Sequence, residues 1–139
     1  MRTLPETEDA LVIRTDFGDQ RTWDAICAEV FAPIGVLGFV ANVLFVDDQA
    51  YDGATRDQIA GAFPAGASPS FTIVADRTSM SHPEHPLLVL DLLDESGGAF
   101  RAVPSAIQAI ENNLSIGNMD FEEFAGAADE DGIFRGFQD

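Results

Sequence analysis

The sequence predicts an α/β domain: a mixed, mostly parallel sheet of about five strands carrying four helices. Two observations predict it. Residues 11–46 hold a short apolar strand, an amphipathic helix and a second apolar run, the layout of a β-α-β unit. Further apolar runs of strand length then recur at 70–75, 87–93 and 100–103, and two capped helical segments follow them.

The helix of the opening unit is the clearest element. Asp19 has the side chain of an N-cap, and Trp23, Ile26, Cys27, Val30 and Phe31 repeat at helical spacing on one face. Pro33 and Gly35 end it. Leu11-Val12-Ile13 reads as the strand before it. Gly38 to Val46, interrupted only by Asn42, reads as the strand after it, apolar on both faces as at the buried centre of a sheet. One helix joining two strands implies a parallel pair with a right-handed crossover.

Residues 1–9 read as a flexible polar arm and residues 10–139 as one domain, long enough to bury a core without staples. Thr55-Arg56-Asp57-Gln58 has the form of a capping box for a helix stopped by Pro64. Ser70 to Ala75 forms the third strand. Asp76 to Pro86 is a polar connector, long for a hairpin and short for a crossover helix. Leu87 to Leu93 is the fourth strand, and Phe100 to Val103 an edge strand beyond the turn 95–98. Pro104 and Ser105-x-x-Gln108 open a helix that Gly117 closes, and Asp120-x-x-Glu123 opens the last one. Ile133, Phe134 and Phe137 make an apolar tail that needs a cover, either the core or a second copy of the chain.

Charge is the most unusual global property. Twenty-four acids face seven arginines and no lysine, a net charge of -17. Such a field repels nucleic acid and anionic lipid and favours a basic protein or a cationic small molecule. Leu, Ile, Val and Phe are plentiful, so the charge does not imply disorder. Cys27 is the single cysteine and excludes an internal disulfide, which fits a reducing cytosol. No basic-then-apolar leader opens the chain, and the run around 34–46 is too short to span a bilayer; the expectation is a cytoplasmic protein with no membrane partner.

If strands one to four run parallel, acids follow each of them: Asp16, then Asp47 and Asp48, then Asp76, then Asp94 and Glu95. Open α/β sheets place their sites beyond the carboxyl ends of strands. The expected site is therefore one acidic rim, able to bind a divalent cation through oxygen or to shift one carboxyl for acid–base work. The competing explanation is local, because Asp favours helix caps and turns for its own hydrogen bonds. Asn112 and Asn113, in an amide-rich helix end, and Arg77, just after the third strand, are secondary candidates.

Other motifs point away from catalysis. His82-Pro83-Glu84-His85-Pro86 holds both histidines and an acid, but its spacing is not the helical pairing of zinc proteases, and the histidines read as loop residues. Cys27 lies on the apolar stripe and reads as packing. Without lysine a P-loop is excluded, and G-x-S-x-G, HExxH and EF-hand patterns are absent. No cofactor is predicted, a divalent cation being the one class the acidic rim would admit.

Leu11-Val12-Ile13-Arg14-Thr15-Asp16-Phe17, Phe45-Val46-Asp47-Asp48, Pro83-Glu84-His85-Pro86, Asp91-Leu92-Leu93-Asp94, Glu111-Asn112-Asn113-Leu114-Ser115-Ile116 and Asn118-Met119-Asp120-Phe121-Glu122-Glu123-Phe124 together carry a resemblance. With them the chain is similar to a family of small, acidic, single-domain bacterial proteins, common in actinomycetes, whose function is not established. The resemblance covers nearly the whole chain and implies a stand-alone cytoplasmic domain. It brings no catalytic residues.

Three function classes follow. The first is a small acidic interaction protein that binds or neutralises a basic partner, in the manner of immunity proteins or antitoxins. The second is a small metal-dependent or acid–base enzyme working through the Asp rim. The third is an accessory domain for a small cationic ligand.

Overall fold

A computed structural model describes residues 2–93 and 98–137, which form one mixed six-stranded sheet between two layers of helix and loop. β1 (Ala10–Arg14), α1 (Gln20–Phe31) and β2 (Val43–Val46) make the expected parallel unit, with Leu11 beside Leu44 and Ile13 beside Val46. Asp19 caps α1 by accepting the Thr22 N–H at 3.2 Å. α2 (Arg56–Gly61) starts on the Thr55/Gln58 capping box. β3 (Phe71–Ala75) joins β1 in parallel, Val12 beside Ile73. Next come α3 (Arg77–Ser81), β4 (Leu87–Asp91), β5 (Ala99–Ala102), α4 (Ile107–Ser115), α5 (Phe121–Gly126) and β6 (Ile133–Phe134). The strand order is β2-β1-β3-β4-β5-β6.

Three expectations are corrected. β4 runs antiparallel to β3, with Ile73 beside Val89, so the parallel run stops at three strands. The connector 76–86 folds into the single short helix α3, and this reach returns the chain beside β3 without crossing the sheet. β2 is an edge strand and only four residues long. Gly35 and Gly38 take φ of 75° and 68°, a left-handed backbone suited to glycine, and fold the first half of the apolar run into a hairpin closed by Ile34 and Phe39. The N-terminal arm is docked at residues 2–4: Leu4 is buried, its N–H donates to the Ala62 carbonyl at 2.8 Å, and the Tyr51 hydroxyl donates to the Arg2 carbonyl at 2.7 Å. In the aromatic tail Ile133 and Phe134 form β6 and are buried, with Phe134 beside Ala102, while Phe137 is half-exposed.

The sheet separates two cores because successive side chains of a strand point to opposite faces. On one face Val12, Ile73, Val89 and Phe100 pack with Trp23, Ile26 and Val30 of α1, Ile107 and Ile110 of α4, and Phe124 of α5. On the other, Leu11, Ile13, Val74 and Leu90 meet Leu4, Tyr51 and Ile59. β1 and β3 are buried along their whole length, which makes them the centre of the molecule. Among the described residues no helix is long and apolar enough to cross a membrane.

Candidate functional site

The carboxyl ends of β1, β2 and β3 share one edge, as the parallel pairing requires, and bring Asp16, Asp47, Asp48 and Asp76 to it. Each of them has a local task there. Arg14, buried at the end of β1, donates from Nε to the Asp16 carbonyl at 3.0 Å and from Nη1 to Gln20 at 2.9 Å and Asp47 at 3.1 Å. Its guanidinium lies over the Phe17 ring at 4.4 Å and near Trp23 at 5.4 Å, where a planar cation also gains from the ring faces. The Asp16 carboxylate accepts the Gly18 N–H at 2.9 Å. Asp48 accepts the Ala50 N–H at 2.9 Å, opening a 3-10 turn over Gln49–Tyr51, and pairs with Arg2 at 2.6 Å.

Asp76 is the most engaged. It accepts both guanidinium nitrogens of Arg101 at 2.9 and 2.8 Å and the Ser79 N–H at 3.2 Å, which caps α3. Partial burial pushes its pKa up, but the hydrogen bonds from Arg101 and Ser79 outweigh burial and hold the carboxyl below its ordinary range. The same side of the molecule carries a further clasp, Arg135 with Glu84, Asp129 and Asp131, each at 2.7 Å. Four arginines thus pair with acids around this edge. Among the described residues no group of three His, Cys, Asp or Glu side chains is placed to hold a metal ion. Asp94 and Glu95 lie outside the described residues, but β4, which precedes them, ends at the opposite edge.

The remaining sequence candidates are also tied locally. His82 Nδ1 accepts the Glu84 N–H at 3.0 Å, His85 Nδ1 meets the Ser79 carbonyl at 3.1 Å, and the Glu84 carboxylate belongs to Arg135. Asn113 donates to the Ala109 carbonyl and accepts from Asn118, both at 2.8 Å, so it closes α4, while Asn112 and Arg77 are exposed. Cys27 is half-buried, and burial together with Asp24 and Asp47 pushes its thiol up to about 11, which leaves it protonated and unreactive at neutral pH.

A concave surface lies at the other edge, where β4 ends and β3 begins. It is an open groove of about 430 Å³ lined by Ser70, Phe71, Asp91, Leu93, Leu114, Gly117, Met119, Asp120, Phe121 and Glu122. Its floor is apolar, among the described residues the carboxylates of Asp91, Asp120 and Glu122 line it, and Arg56 donates to the Asp91 carbonyl at 2.6 Å. A smaller hollow of about 190 Å³ shares Ser70, Phe71 and Leu114 and adds Glu8 and Asp9 from the segment before β1. Local chemistry shapes this edge. The Asp91 carboxylate accepts the Leu93 N–H at 2.9 Å, so the chain bends after β4. The left-handed Gly117, with φ 69°, ends α4. Glu123 accepts the Asp120 N–H at 3.2 Å and starts α5, leaving Asp120 and Glu122 exposed.

Sequence reasoning missed this edge. The signals were the short connector 76–86, which implied a reversed β4, and Asp91, the polar residue of an otherwise apolar strand.

Glu111, buried on α4, borders the same end and accepts the Asn42 N–H at 2.7 Å. Burial raises its pKa, the Asn42 hydrogen bond opposes this, and the nearby Asp9 charge raises it further. The folded pKa of this acid exceeds its unfolded value, so the ionised form weakens the fold at neutral pH and the deficit disappears as pH falls through the folded value. Glu111→Gln keeps an acceptor for Asn42 without the charge. It is expected to raise the unfolding midpoint at pH 7, with the gain vanishing on acidification.

No curated protein matches the chain. A family model does match it over residues 9–137, nearly its full length, and the protein belongs to that family, described as a domain of unknown function (DUF6924).

Proposed function

We propose that this protein is a binding module that engages a basic partner through the groove between the end of β4 and the α4–α5 turn. One observation carries the reading: among the described residues the groove joins an apolar floor of Phe71, Leu114, Met119 and Phe121 to the exposed carboxylates of Asp120 and Glu122. Arginines serve the fold at both edges: Arg2, Arg14, Arg101 and Arg135 pair with acids at the far one, and Arg56 donates to the Asp91 carbonyl at 2.6 Å beside the groove, so the charge offered to a partner is that of Asp120 and Glu122. A surface with apolar contact at its centre and negative charge at its rim suits an amphipathic cationic segment. The apolar part supplies affinity, and the charge supplies steering and selectivity. Masking the cationic face of its partner would make the protein a neutraliser in the manner of an immunity protein or antitoxin. A groove of this size also admits a small cation with an apolar body.

The test is titration of the chain with a synthetic amphipathic peptide of alternating arginine and leucine. Affinity is expected to fall about tenfold or more between low and physiological salt. Asp120→Asn combined with Glu122→Gln is expected to weaken binding roughly tenfold, while Asp47→Asn and Asp48→Asn change it less than about twofold. Salt-insensitive binding, or equal weakening by both pairs, contradicts the proposal. Thermal stabilisation by small aromatic amines with none by the peptide would assign the groove to a small ligand instead.

A further inference from the structure

The acidic groove leaves one conspicuous surface unexplained. Residues 30–46 contain no charged side chain, in a chain whose net charge is -17. This stretch covers the end of α1, the hairpin and β2, and it carries six large apolar side chains open to solvent: Phe31, Val36, Leu37, Phe39, Val40 and Leu44. Val36 is fully exposed and Leu37 80% exposed at the tip of the hairpin that Ile34 and Phe39 close. Phe31 and Phe45 meet edge to face at 4.9 Å, which ties the helix end to the strand. β2 is the edge of the sheet, and among the described residues only β1 pairs with it, leaving its outer row of backbone donors and acceptors without a strand. Natural edge strands are usually guarded by charge, proline or a covering segment. This one has a charged residue only beyond its end, at Asp47 and Asp48.

We propose that the β2 edge and its hairpin form the interface with a second copy of this chain, related by a twofold axis. Three arguments select that occupant. Two bodies of charge -17 repel each other over most of their surfaces, so contact between copies requires a stretch without charge, and residues 30–46 provide it. A basic partner finds no carboxylate in this stretch and gains nothing from it. An edge strand paired antiparallel about a twofold axis is self-complementary, because each copy offers what the other needs. The area is also sufficient: burying these six side chains on both copies removes roughly 1,200 Å² from water, the lower bound of specific interfaces.

Sedimentation of the full chain across protein concentration tests this. The expected result is a reversible dimer that tightens when salt is added, because screening relieves the repulsion between copies. Val36→Ser combined with Leu37→Ser is expected to weaken the dimer roughly 50-fold or more. Both side chains are exposed, so the circular dichroism spectrum of the variant should match the parent and confirm its fold. Leu93→Ser, an equally exposed apolar site on the groove, should leave the dimer intact. A parent that stays monomeric at high concentration, a dimer that survives the hairpin substitutions, or an open series of larger species would overturn the proposal. The salt response is opposite in sign to that of the acidic groove, so the two readings fail separately.

Discussion

Phe124→Ala is expected to cost about 4 kcal/mol of unfolding free energy and to lower the thermal midpoint by more than roughly 10 °C. Phe124 is fully buried on α5, and its ring meets Phe134 at 5.4 Å, Phe137 at 5.5 Å and Phe100 at 6.3 Å. It is therefore where the last helix, the last strand and the tail close over β5. Truncation removes the transfer free energy of a buried aromatic ring and leaves a cavity between elements that cannot collapse independently. Phe137→Ala removes a ring that is half-exposed in the same cluster and should cost no more than about 1.5 kcal/mol. Equal effects of the two substitutions in urea unfolding would mean that the carboxyl-terminal segment does not pack as described.

Asp76→Ala is expected to cost about 2–3 kcal/mol at neutral pH. It leaves the Arg101 guanidinium, three-quarters buried, with the Pro86 carbonyl at 3.1 Å as its remaining hydrogen-bond partner among the described residues, and it removes the cap from the Ser79 N–H. The cost should depend on acidity. The folded carboxyl titrates below its ordinary 3.8, so the stability it contributes is fully present above that value and is lost as pH falls below it. The gap between parent and variant in denaturant midpoint should thus be widest near neutrality and narrow below about pH 4. A gap that widens on acidification would contradict the ion pair. Asp76→Asn retains an acceptor for Ser79 and should fall between the two.

The parts of the fold that were legible in the sequence are those governed by nearest neighbours. The stripe from Trp23 to Phe31, the Asp19 cap and the Thr55/Gln58 box all operate within one or two helical turns, and all appear. The parallel β1–α1–β2 unit was legible because one helix between two strands admits one common geometry. Strand direction beyond β3 depends on how far a connector can reach, and the reversal of β4 changed which acids could share an edge. The apolar run 38–46 was read as a buried strand because hydropathy alone does not reveal that Gly35 and Gly38 turn the chain over. β6 escaped detection because two residues carry no periodicity, although Phe134 is among the most buried side chains.

The candidate site shows the same division. The acids after β1, β2 and β3 lie on one edge, where caps and arginine pairs engage them, as local hydrogen bonding would dictate. The groove draws its lining from separate stretches around Ser70, Asp91, Leu114 and Asp120, none of which forms a motif. Only the packing of α4 and α5 beside the end of β4 assembles it. This explains how a sequence without catalytic signatures can still encode a shaped acidic surface.

The most direct measurement is the map of backbone amide shifts when the isotopically labelled chain is titrated with the arginine–leucine peptide. The account predicts that the largest shifts cluster at Ser70, Asp91, Gly117 and the segment from Met119 to Glu122, with Asp16, Gly18, Asp47 and Asp48 nearly unmoved. Shifts concentrated at the arginine-paired edge, with the groove silent, would contradict it.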